Sequence, residues 1–233
     1  MTRLFRAFLI PLVVSISFNI HAHSIEDVEA SLQEEERYAQ FVDRLATPFT
    51  LTGSEGNALS LADLQGKTVV LNFLYTRCKE ACPLHMNLIR QLQSSVDEAG
   101  LSEEVVFITI ATDREDIVGT RENMRAYGEN FDLKPANWHF LYRAQGEPAG
   151  LTSELADAYG MRFADTGHGV QVHGVVTHVI DPTGQMRARF HGLKFKPEHL
   201  VTYLKAIAIG PDAASDGFWD QLHQRIENLL EGD

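Results

Sequence analysis

Basic charge is in short supply: 20 Lys and Arg stand against 32 Asp and Glu, a formal net charge of −12 over 233 residues. Nucleic acid and anionic membrane surfaces are recognised by clustered Lys and Arg, and this balance argues against both as targets. Cysteine is nearly absent, with only Cys78 and Cys82 in the chain. The loop between them is so short that their disulfide would close too little chain to act as a staple, which makes a purely structural crosslink the weaker reading. There is no internal repeat and no low-complexity segment. At 44% hydrophobic and 22% charged residues, the composition is that of an ordinary globular protein with one sizeable core.

A long hydrophobic run is missing too. Arg3 and Arg6 open a stretch, Ala7 to Ile20, that carries no Lys, Arg, Asp or Glu and leads to Ile20-His21-Ala22. It is short for a membrane span, which needs about 20 apolar residues, and Pro11, Ser15, Ser17 and Asn19 interrupt it. The pattern is that of an export signal over residues 1–22, removed after Ala22. The alternative is an uncleaved anchor, the one route by which the chain would touch a membrane. No cysteine follows the stretch, so a lipid anchor there is excluded. The mature chain is expected beyond the cytoplasmic membrane, in the periplasm. Its first residue would be His23, whose α-amino group and imidazole could together chelate copper(II).

The rest alternates strand and helix patterns. Ser24 to Leu45 reads as an acidic amphipathic helix: Ile25, Val28, Leu32, Phe41 and Leu45 recur at helical spacing, and Ser24 with Asp27 resembles a capping box. Glu34-Glu35-Glu36 would be its solvated face. After a linking stretch with a turn at Gly53 to Asn57, the uncharged Thr68–Tyr75 segment reads as a strand buried on both faces. Pro83 suits a first helical position, and Leu84, Leu88 and Leu92 continue the helix. Strands are expected at Val105–Ala111, Trp138–Tyr142, Gly174–Ile180 and Gln185–Phe190, the last two joined by a tight turn at Asp181-Pro182-Thr183-Gly184. Helices are expected at Ile117–Glu129, Ala149–Tyr159 and Pro197–Ile209, with a last amphipathic helix marked by Phe218, Leu222, Ile226 and Leu230. This order gives a mixed sheet with helices on both faces. The expected division is an N-terminal helix over 23–45, a core domain over 46–210 and a C-terminal helix over 211–233.

Chemistry concentrates in Cys78-Lys79-Glu80-Ala81-Cys82-Pro83, where a buried strand runs out into a helix start. Free N–H groups and the helix dipole favour thiolate at such a place. Two sulfurs this close can form a labile disulfide that exchanges with partners. Alternatively they can hold a soft metal, copper(I) above all, if a third ligand arrives from elsewhere.

The segments Phe73-Leu74-Tyr75-Thr76-Arg77-Cys78 and Cys82-Pro83-Leu84 resemble the signature of the Sco/SenC family, thioredoxin-fold copper proteins that help assemble cytochrome c oxidase. The resemblance continues in Trp138-His139-Phe140-Leu141, in Tyr159-Gly160-Met161-Arg162-Phe163, and in His173 ahead of Val179-Ile180-Asp181-Pro182-Thr183-Gly184, covering roughly residues 45 to 209. It implies a thioredoxin-like fold and one copper ion held by Cys78, Cys82 and His173. It also implies an oxidase subunit or another cuproprotein as the recipient. The chain departs from the family where Gly174 follows the ligand His in place of Ser, and where His178 takes an aromatic position. It departs again at Thr112-Asp113-Arg114-Glu115-Asp116, where only Asp116 keeps the register of the family's Asp-Pro-x-x-Asp loop.

Other candidates have simpler readings. His178 lies an odd number of residues from His173, so on a strand it shares a face with Val176 and Ile180 and belongs to the core. His85 and Met86 stand one helical turn past Cys82, near enough to add a copper contact, though Met86 suits core filling. His168 lies in a glycine-flanked loop. Asp113 and Asp116 fit a strand-to-helix loop, Asp116 as an N-cap.

Three functions compete. The first is a copper metallochaperone. The second is a thiol–disulfide oxidoreductase using Cys78 and Cys82 as a redox pair, served by a periplasmic thiol reductant. The third, a thiol peroxidase, is disfavoured because residues 68–77 contain no Pro ahead of Cys78. The absence of Pro between His173 and Ile180, where a thioredoxin-like reductase places a cis-proline, favours the metal.

Overall fold

In a computed structural model, the protein is described for residues 24–114, 117–161, 164–165, 171–172 and 174–209. The expected export signal, His23, Asp116, His168, His173 and the helix expected over Phe218–Leu230 lie outside the described residues.

Three strands, β4 (Thr68–Leu74) and β5 (Val105–Ala111), both rich in branched residues, and the aromatic β6 (Trp138–Tyr142), run parallel at the centre of one sheet. Every residue of β4 and β5 is buried, which is what their uncharged sequences require of strands covered on both faces. The hairpin of β9 (Val176–Ile180) and β10 (Gln185–His191) adds antiparallel strands beside β4. β1 (Ala39–Leu45), β2 (Thr50–Gly53) and β3 (Ala58–Ser60) complete an eight-stranded mixed sheet in the order β1-β10-β9-β4-β5-β6-β2-β3. A separate two-stranded ladder joins β7 (Ala164–Asp165) to β8 (Gln171–Val172).

Helices cover both faces, the thioredoxin-like arrangement expected from the sequence. On one side α1 (Ile25–Glu35), α2 (Ala81–Glu98), α3 (Ile117–Asn130) and α5 (Pro197–Ile209) pack Val28, Leu92, Met124 and Leu204 against Val70, Leu74 and Phe107. On the other, α4 (Leu151–Ala158) and the tyrosine that follows it bury Leu155, Ala156 and Tyr159 against Leu71, Phe73 and Ile108. No helix among the described residues is long and apolar enough to cross a membrane.

The helix expected over Ser24 to Leu45 is a correction. It starts as read, with the Ser24 N–H donating to Asp27 Oδ2 at 2.8 Å, but it ends at Glu35. The remainder is β1, whose edge pairs antiparallel with β10 from Ala39↔Phe190 to Leu45↔Gln185. Tertiary pairing overrides a local four-residue spacing here, and Phe41 turns its ring edge-on to Tyr203, 5.2 Å between centroids. Glu36 makes the break. It is 3% exposed rather than solvated, and its carboxylate accepts the N–H groups of Tyr38 and Lys196 at 3.1 and 2.8 Å. Glu34 and Glu35 are exposed as expected.

Candidate metal and thiol site

β4 leaves the sheet at Leu74, and a turn closed by Cys78 N–H to Tyr75 O at 3.0 Å carries the chain into α2. The helix begins at Ala81, so Pro83 is its third residue and not its first. The first-turn N–H groups of a helix have no carbonyl partner in any case, so proline is tolerated there. Cys82 thereby sits inside the first turn, 1% exposed, while Cys78 stays on the turn and half-buried. The Cys82 N–H points to Cys78 Sγ at 3.4 Å, and the two sulfurs are not joined in a disulfide.

This geometry makes the two sulfurs unequal. Burial alone would raise the Cys78 thiol, but the amide groups of Cys82, Glu80 and Ala81 outweigh it and lower it below its usual value. Three successive N–H groups at a helix start form the kind of cradle that suits an anion. Burial pushes the Cys82 thiol far up, against the pull of the Tyr75 backbone, and charge on Cys78 and Asp113 pushes it further. Cys78 is thus the half-buried sulfur on which thiolate is favoured, and Cys82 the buried one on which it is disfavoured.

A frame of buried and half-buried polar groups holds this turn from behind. Asp113, 4% exposed just past β5, accepts both the N–H and the hydroxyl of Thr76. From α3, Asn123 Nδ2 donates to Thr76 Oγ1 at 3.1 Å, and the Tyr127 hydroxyl donates to Cys78 O at 3.3 Å. Burial, then charge on the two thiols and on Asp113, raises the Tyr127 phenol, which keeps it a donor. Sequence reading took Asp113 for a loop residue and passed over Asn123 and Tyr127. One signal was available: an Asp standing where the family loop has Pro.

The other candidates fall into place around α2 and β9. His178 is fully buried with Val176 and Ile180, as its spacing indicates, and lies edge-on to Phe73 and Tyr159. Its Nδ1 and Nε2 face the carbonyls of Leu71 and Tyr159 at 3.3 and 3.2 Å. His85 is 2% exposed, its Nε2 3.0 Å from Thr177 Oγ1, and Met86 is fully buried with Asn72 Nδ2 3.9 Å from its sulfur. Among the described residues no group of three His, Cys, Asp or Glu is arranged to hold a metal. Cys78 and Cys82 bring two sulfur donors to one turn.

Comparison with known proteins decides the family. The SCO1/SenC family model matches residues 37–208, most of the chain and all of the sheet from β1 to β10. The chain belongs to the SCO1/SenC family. A SCO1/SenC family lipoprotein from Bacillus anthracis superposes with a TM-score of 0.64 at 21% identity, over 72% of this chain and 98% of that one. BsSco, described as a member of the Sco family of cytochrome c oxidase assembly proteins with a disulfide switch, superposes with a TM-score of 0.63 at 19% identity. That match covers 72% of this chain and 96% of BsSco. ScoI of Bradyrhizobium japonicum, solved with copper bound, shares 25% identity over 70% of this chain and 99% of its own, with a TM-score of 0.55. The N-terminal helix α1 precedes the family match, yet Val28 is fully buried against the domain.

Proposed function

We propose that this SCO1/SenC protein is a periplasmic copper metallochaperone whose cargo is held by Cys78, Cys82 and His173. The observation that carries the reading is the antiparallel pairing of β9 with β4, from Val69↔Ile180 to Asn72↔Thr177. Because the strands run oppositely, β9 begins at the end of the sheet where β4 delivers the cysteine turn. His173 is three residues before Val176 in sequence, and three residues of chain span at most about 11 Å, which supports it as the third donor. Soft thiolates suit copper(I), and one imidazole allows copper(II) to be held by the same set. Copper in the Bradyrhizobium relative and the oxidase-assembly role of BsSco support an oxidase subunit, or another cuproprotein, as recipient. Export with loss of residues 1–22 would leave a core domain over 46–210 in the periplasm. Metal analysis of the purified chain tests the reading: with a reductant present it should hold one copper, and with Cys78 and Cys82 oxidised it should hold none.

The unequal thiols favour a second, compatible role as a thiol–disulfide oxidoreductase. Cys78 thiolate would attack a partner disulfide, forming a mixed disulfide and releasing one partner thiolate. Cys82, once deprotonated, would attack Cys78 sulfur, releasing the second partner thiolate and leaving the Cys78–Cys82 disulfide. A periplasmic thiol reductant must then restore the pair, as it must before copper can load.

A further inference from the structure

Most of the contact between α2 and the sheet is apolar, through Leu88, Ile89, Leu92 and Val96. Such contact is non-directional and specifies a helix's position less sharply than a hydrogen bond does. The first two turns of α2 are different. Beneath them a row of polar side chains crosses four neighbouring strands on one face: Thr177 on β9, Asn72 on β4, Thr109 on β5 and Trp138 on β6, all 9% exposed or less. Trp138 Nε1 donates to Thr109 Oγ1 at 3.0 Å, and Thr109 Oγ1 donates to Asn72 Oδ1 at 2.9 Å. Asn72 Nδ2 meets Met86 Sδ at 3.9 Å, and Thr177 Oγ1 meets His85 Nε2 at 3.0 Å. The row ends on two consecutive residues of α2, one turn past Cys82.

We propose that His85 is a positioning residue of the copper site, acting through Thr177 and not as a ligand. It rests on the copper reading given above. A centre built from two chain segments needs their separation fixed to a fraction of an ångström. Cys82 is three residues before His85 on one helical face, and His173 is four residues before Thr177. The His85–Thr177 hydrogen bond therefore joins the helix that carries one donor to the strand that follows the other. Buried in a low-dielectric core, it is directional where the surrounding apolar contacts are not. Copper(I), whose affinity comes mainly from the two soft thiolates, should depend on it little. Copper(II), which needs the imidazole, should depend on it strongly.

Thr177→Val keeps the side-chain shape and removes the hydroxyl. In the full-length reduced chain titrated with copper, it should leave copper(I) affinity within about threefold and weaken copper(II) by about 10- to 100-fold, the usual effect of losing a group that orients a ligand. The sulfur-to-copper absorption band should shift or broaden. Thr177→Ser should restore both. His85→Leu should match Thr177→Val, and the double variant should be no worse than either single one. If Thr177→Val has the copper(II) affinity and band of the wild type, the inference is wrong. If His85→Leu loses the band that Thr177→Val keeps, His85 is a ligand and the inference is again wrong. A wild-type chain that takes up no copper overturns the parent reading, and this inference with it, by a different observable.

Discussion

Asp113 holds Thr76 at both polar ends, its Oδ2 accepting the Thr76 N–H at 2.9 Å and its Oδ1 the hydroxyl at 2.6 Å. The two residues lie on separate segments that meet only because β4 and β5 run parallel, Leu74 beside Ala111. The bond ties the cysteine turn to the next strand and thereby holds Cys78 over the start of α2.

Replacing Asp113 by Ala should therefore loosen the turn. Two buried hydrogen bonds to a charged group go, with a loss of about 2–3 kcal/mol in urea unfolding. Asp113→Asn keeps one acceptor and should lose about half as much. Equal stability of both variants and wild type would show that the clamp contributes nothing.

The thiols should react in sequence. With a limiting alkylating reagent at neutral pH, peptide mapping should find the label on Cys78, whose cradle of N–H groups favours thiolate. Cys82, buried with its thiol raised, should stay unlabelled until the protein unfolds. Cys82→Ser should label as fast as wild type, and Cys78→Ser far more slowly. Prior labelling of Cys82 would reverse the assigned roles.

His178 should make the fold acid-sensitive. Burial lowers its imidazole from 6.5 to about 4, the carbonyls of Tyr159 and Leu71 opposing and the charges of Arg189 and His191 adding to the fall. Below pH 6.5 the unfolded chain takes up a proton that the native one refuses until about pH 4. Stability should thus fall as pH drops through that window, by about 3 kcal/mol when complete. His178→Phe should flatten this part of the profile in urea melts at pH 7.5 and pH 5, while leaving copper stoichiometry unchanged. An unaltered slope would place the acid sensitivity elsewhere.

Glu36 should behave as a buried anchor and not as a surface acid. Glu36→Ala strands the N–H groups of Tyr38 and Lys196 and frees His199 Nδ1, which lies 3.2 Å from Oε2. A loss of about 2–4 kcal/mol is expected by thermal or urea unfolding, against under about 1 kcal/mol for Glu34→Ala. A Glu36→Ala chain as stable as Glu34→Ala would refute the anchoring role.

Long, uniform patterns were readable in the sequence: the uncharged runs of β4 and β5, the turn between β9 and β10, and α5 over the expected residues. Short elements were not. β2, β3, β7 and β8 have two to four residues each, too few to show a period. β1 was lost to helix because Phe41 and Leu45 happen to stand four apart, and what decides its state is β10, nearly 150 residues away in sequence. The cysteine pair, its unusual spacing and the burial of His178 could be read locally. The partners that shape the site could not, since Asp113 and Thr76 are 37 residues apart and His85 and Thr177 are 92. Those contacts exist only once the sheet order is set.

Copper binding to wild type, Cys78→Ser, Cys82→Ser and His173→Ala tests the central claim most directly. Reduced wild type should bind one copper(I), and the copper(II) form should show a sulfur-to-copper absorption band. Each serine variant should be impaired in both oxidation states, since each removes a sulfur that an imidazole cannot replace. His173→Ala should still form the Cys78–Cys82 disulfide, yet lose the band and most of its copper(II) affinity. If none of the three variants alters copper binding, the metallochaperone reading is contradicted and the thiol–disulfide reading takes its place.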